Sequence, residues 1–184
     1  MAARPRAGAV SSPGPRTDRD RDQAGRPKNA RPRDGLGRPL PHGSAGEPVM
    51  PQDLRLTPAE AVRLAQELID DGRPFHAHEV LEAAWKSAPG DERALWKGLA
   101  QIAVGLTHAR RGNDRGAVAL LRRGAAAVAG YAESLAGPDG ARGTGPPDLD
   151  LAAVTAGATG LADRIAARGL EVLPPADLRV DLTG

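Results

Sequence analysis

From Thr57 to Arg168 the apolar side chains recur at helical spacing, in segments separated mostly by links of a few residues. Links that short join antiparallel neighbours and leave no room for crossover connections. Thr57-Pro58-Ala59-Glu60 is a capping box with proline at the first helical position. Val62, Ala65, Leu68 and Ile69 follow at helical spacing, and Gly72 stops the helix. A second helix starts near Pro74 and runs to about Ser87, before the turn Pro89-Gly90-Asp91. Asp91 is placed to cap a third helix, expected over residues 92–111, with Leu95, Leu99, Ile102 and Leu106 as its stripe. Gly112 stops it and Asn113 caps a fourth helix, residues 114–135, with Val118, Leu121, Ala125, Val128 and Leu135 inward. A fifth is expected over residues 149–168 on Leu151, Val154, Leu161 and Ile165, weakened by Gly157 and Gly160. No segment alternates with period two between hairpin turns. The expected fold is therefore all-α: a compact bundle of four to five antiparallel helices over residues 52–170.

The remainder reads differently. Residues 1–50 contain ten Lys/Arg, five Asp/Glu and eight prolines. After Met1, their large apolar side chains are only Val10, Leu36, Leu40, Val49 and Met50. Such a stretch buries too little apolar surface to offset its chain entropy, so it is expected to be a disordered basic extension. Met50, directly before the helical part, is a candidate start of translation that N-terminal sequencing of the native protein would decide. Residues 171–184 are expected to be an extended tail. Of the 25 basic and 23 acidic side chains, 15 and 18 remain for residues 51–184, so the basic balance belongs to the extension. That disfavours nucleic acid as a partner of the folded part. No stretch approaches a membrane span, residues 1–30 lack a signal-peptide core, and a cytoplasmic location is the expectation.

Chemistry points to the second helix. On a wheel of about 100° per residue with Phe75 at the origin, Trp85 falls at about 280°, His78 at about 300° and Glu82 at about 340°. Glu79 falls at about 40°, beside this stripe, while His76 at about 100° is expected to be exposed. The two aromatics suggest that the stripe faces the core, carrying a His78–Glu82 pair at i,i+4. In the third helix Gln101 and His108 share a stripe with Gly98 and Gly105, whose small size lets a neighbouring helix approach. The expectation is that His78, Glu82, Gln101 and His108 converge between helices two and three.

His78-x-x-x-Glu82-x-x-Trp85, preceded by Phe75, resembles the signature of a bacterial and archaeal family known as domain of unknown function 309. Leu99-x-Gln101-x-Ala103, His108 and Gly112-Asn113-x-x-Gly116-Ala117 are similar to that family too. The resemblance covers about residues 57–135 and excludes residues 1–50. It implies a small helical domain and brings no established activity.

Three readings of the cluster stay open. It is a buried hydrogen-bonded lock between two helices, with the Trp85 indole paired to Glu82 or a carbonyl. Or it is a ligand site over His78, Glu82, Trp85, Gln101, His108 and Glu79, in which His78, Glu82 and His108 suit one divalent transition metal. Or the domain is an interaction module, with a homodimer burying Trp96 or helix five as one form. The chain has no cysteine, which excludes thiol nucleophiles and cysteine-ligated metals. His78-Glu79-x-x-Glu82 has glutamate where a zincin needs its second histidine. There is no Gly-x-Ser-x-Gly and no Gly-x-x-x-x-Gly-Lys loop. Catalysis, if present, would use His78 and Glu82 in acid–base or metal-assisted work.

Overall fold

The structure, a computed structural model, describes residues 31–47, 55–90, 92–136 and 146–183. Five α-helices follow one another: α1 (Pro58–Asp70), α2 (Pro74–Ser87), α3 (Arg93–Arg110), α4 (Asp114–Leu135) and α5 (Leu151–Arg168). Each packs chiefly on its neighbours in sequence, most extensively α3 on α4. Among the described residues there is no strand, and no helix is long and apolar enough to cross a membrane. The expected all-α bundle is the observed one.

The helix limits follow local chemistry. Both halves of the Thr57–Glu60 capping box are formed. The Glu60 carboxylate accepts from the Thr57 hydroxyl and backbone N–H, which lowers its pKa. Gly72 and Gly112 end their helices with φ of 74° and 73°, the left-handed region that glycine reaches without a side-chain clash. Asn113 caps α4 by accepting the Gly116 N–H at 2.9 Å, and Asp150 caps α5 through Ala153 N–H at 2.9 Å. Asp91 lies outside the described residues, and Glu92 at the start of α3 makes no side-chain cap.

α3 is the central helix. Leu95, Leu99, Ile102 and Leu106 are fully buried, and so are Ala103, Gly105 and Trp96. Trp96 is 2% exposed and its indole donates to Glu92 at 3.0 Å, so it is not available to a dimer interface. α4 approaches α3 backbone to backbone. A Cβ on Gly124 would stand 2.6 Å from the Gly98 carbonyl, and one on Gly105 would stand 2.9 Å from Leu121. The small residues of α3 therefore receive α4, not α2.

Two segments expected to lack structure carry contacts. After α5 the chain makes two short 3-10 turns, Leu170–Val172 and Pro175–Asp177. Leu173, Leu178, Val180 and Leu182 are buried there, because an irregular chain can bury apolar residues that show no period. Of the extension, residues 1–30 and 48–50 lie outside the described residues. Residues 31–47 form a turn closed by Asp34, whose side chain accepts from Leu36 N–H at 3.0 Å and Arg38 N–H at 2.7 Å. Local side-chain-to-backbone bonds supply order there that apolar burial does not.

Candidate functional site

The face of α2 that meets the core is Ala77, Val80 and Leu81, with His76 beside them at 3% exposed. On the same wheel these positions lie between about 100° and about 240°. The Phe75–His78–Glu82 stripe is thus on the far side of the helix, with Trp85 at the edge of the core. The expectation that the stripe faces inward and His76 outward is corrected. The reason is packing against α1 and α3: small and branched side chains let an Ala-rich bundle close up, and the larger rings are left half-buried.

His78 is half-buried on that outer face, its ring 6.2 Å from the ring of Phe75. Its Nδ1 is buried and makes no hydrogen bond among the described residues. Burial pushes the imidazole pKa down, Glu82 opposes this and Lys86 adds to it. Glu82 acts on His78 through charge, while its carboxylate pairs with Lys86 at 3.2 Å in an i,i+4 contact. Glu79 and Trp85 are half-buried on the same helix.

His108 is elsewhere. Its Nδ1 accepts from the Asn113 side-chain amide at 2.8 Å, in the corner between α3 and α4. Asn113 N–H returns to the His108 carbonyl at 2.9 Å. A Cβ on Gly116 would stand 2.7 Å from that imidazole nitrogen and 2.6 Å from the Asn113 amide. His108, Gly112, Asn113 and Gly116 together build a turn. Gln101 is half-buried on the stripe of α3 that holds Gly98 and Gly105, the stripe that receives α4. The structure thus keeps His78, Glu82, Glu79 and Trp85 on one helix, places His108 in the α3–α4 corner and leaves Gln101 half-buried on α3. Among the described residues no group of three or more His, Asp or Glu side chains could hold a metal ion.

The outer face of α2 meets the Asp34 turn. Gly37, at φ 72°, lies so close that a Cβ would stand 2.2 Å from the Phe75 ring. The Arg33 guanidinium lies 5.7 Å from that ring's centroid and donates to the Gly37 carbonyl. Arg111, at the end of α3, donates to the Leu36 carbonyl from Nε at 3.0 Å and also from Nη2. Burial, together with Arg38, lowers the Arg111 pKa; Asp34 opposes this and Arg33 adds to it. Arg73 pairs with Glu47 at 2.9 Å. Sequence reasoning left Arg33, Leu36 and Gly37 out of the site. Their signal was Asp34-Gly35-Leu36-Gly37, a turn-forming run inside a segment read by composition alone.

With this geometry in view, the sequence can be placed. Residues 62–120 match the family model Domain of unknown function (DUF309). A 48-residue stretch is also 46% identical to the uncharacterised protein YpuF of Bacillus subtilis (strain 168), covering 26% of this chain and 28% of that protein. No solved structure matches. The DUF309 match takes in the α2 stripe, the α3–α4 corner and Arg111, but not residues 31–47.

A polar groove elsewhere, along α1 and the C-terminal segment, is lined by Asp70, Arg110, Arg164, Arg179 and Asp181 among others. It holds none of the α2 stripe residues, and its signs are mixed.

Proposed function

We infer that the protein is a binding module whose contact face is the outer side of α2, built by Phe75, His78, Glu82 and Trp85, with Glu79 beside them. One observation carries this reading: the stripe is opposite Ala77, Val80 and Leu81, so burying the helix does not require it. The lock reading needs those side chains between two helices. A metal centre over His78, Glu82 and His108 needs the three side by side, and among the described residues no group of three or more such side chains could hold an ion. Half-buried rings beside a carboxylate and an imidazole are instead the composition of a contact face, where amphipathic side chains supply area and polar atoms supply direction.

The test is a pair of measurements on the full chain. His78→Ala and Glu82→Ala should each move the melting transition by less than about 1 kcal/mol, as substitutions away from a core do. Elemental analysis of protein purified without added metal should find no stoichiometric ion. A loss of about 3 kcal/mol in either variant would restore the lock reading. A stoichiometric ion in the parent that disappears in Glu82→Ala would restore the metal reading.

A further inference from the structure

The Asp34 turn is largely self-contained. Gly37 N–H bonds to the Asp34 carbonyl at 2.7 Å, Leu40 N–H to Pro32 at 2.7 Å and Glu47 N–H to Arg33 at 2.8 Å. It contributes nothing to the hydrophobic core, whose residues run from Ala61 to Leu182. Yet it is seated by specific contacts with Phe75, Arg73 and Arg111. Those three receiving side chains lie within the DUF309 match, and the turn does not.

We propose that this turn is an internal ligand: the face around Phe75 and Arg111 takes a glycine-bearing turn of polypeptide, and in this chain its own Asp34–Arg38 fills it. The partner is another polypeptide presenting the same turn, bound when the chain's own turn leaves. This rests on the reading of the outer side of α2 as a contact face and names what that face recognises. Recognition is of backbone. The Arg111 guanidinium, part-buried at the end of α3, donates to the Leu36 carbonyl. The Phe75 ring takes a residue without a Cβ, held at a φ that side chains other than glycine rarely adopt. Displacement is feasible because the seat consists of a few polar contacts and one ring. A tethered turn enjoys a high effective concentration, so a partner must bring further contacts, and Glu82 and the exposed Lys86 lie further along the same helix.

The experiment uses the full chain in three forms: wild type, Gly37→Ala, and Gly37→Ala with Arg111→Gln. A labelled synthetic peptide of residues 32–47 is titrated against each by fluorescence anisotropy. The wild type should bind weakly, because its own turn is in place. Gly37→Ala, whose own turn no longer seats, should bind at least about tenfold more tightly. The double variant should lose that gain. Equal affinity in wild type and Gly37→Ala overturns the proposal, whether both are weak or both tight. Undiminished binding by the double variant overturns it too, because the peptide then lies elsewhere. Circular-dichroism melts should show all three forms folded, with Gly37→Ala melting slightly below wild type because the seated turn is lost. Failure of the contact-face reading itself would show separately, as instability of His78→Ala and Glu82→Ala with any peptide result.

Discussion

Two polar clusters within the matched residues 62–120 do unlike work. In the α3–α4 corner three residues have local duties: Asn113 caps α4, His108 accepts from Asn113, and Gly116 leaves room for both. On the outer side of α2, Glu82 pairs only with Lys86 one turn along, and the buried Nδ1 of His78 makes no hydrogen bond among the described residues. The corner is what a chain needs in order to reverse direction. His78 and Glu82 on the α2 face are not among the residues that seat the helix on the core, which are Ala77, Val80 and Leu81. Polar residues close together in sequence therefore need to be sorted by what each one's loss would undo.

Substitutions can break or sharpen that contrast. Leu81→Ala, one residue from Glu82 but fully buried, should cost about 2–5 kcal/mol in denaturant unfolding. A smaller effect than that of Glu82→Ala would reverse the assignment of the two sides of α2. Gly124→Ala forces a methyl group against the Gly98 carbonyl and should cost about 1–3 kcal/mol. An unchanged midpoint would mean that α3 and α4 are not in backbone contact. Asn113→Ala should cost about 1 kcal/mol. Combined with His108→Ala it should prove non-additive, since the two share a hydrogen bond. Additive losses would dissolve the corner as a unit.

The smallest effect is the dependence on pH. Burial holds the His78 pKa below the ordinary value of about 6.5. The neutral ring is thus favoured in the fold, and below that value the unfolded chain binds a proton that the folded chain resists. The stability involved is complete above about pH 6.5 and is lost as pH falls through the depressed folded value. Between about pH 7.5 and about pH 5 the wild-type melting temperature should fall more steeply than that of His78→Gln. Parallel curves would show that His78 titrates as freely in the fold as in the unfolded chain.

Much of the fold was legible because caps and stops are local. Thr57, Gly72, Gly112 and Asn113 set helix ends through bonds that span four residues, and the limits of α4 coincide with the expected ones. Orientation about the helix axis was less legible. In α2 the two aromatics outweighed Ala77 and Val80 in a reading of sidedness, although small side chains are what an Ala-rich bundle buries. The stripe of Gly98 and Gly105 announced a close neighbour without saying which helix it was. The matching signal was Gly124 in α4, whose open position faces Gly98. The Asp34 turn and the C-terminal segment had no period to read, so composition stood in for pattern and missed both.

The C-terminal segment has one more consequence. A stack in which each helix touches mainly the next has two free flanks, and flanks open first. Here the last residues sew those flanks together. Leu182 N–H reaches the Gln66 side chain of α1 at 2.7 Å, and its carbonyl accepts from Asp150 N–H, at the head of α5, at 3.0 Å. Arg179 meets Asp70 of α1 at 3.6 Å. The open row of helices becomes a loop held by a clasp. Amide hydrogen exchange should then find α1 and α5 releasing their protons together, as one cooperative unit, although they are the first and last helices of the row.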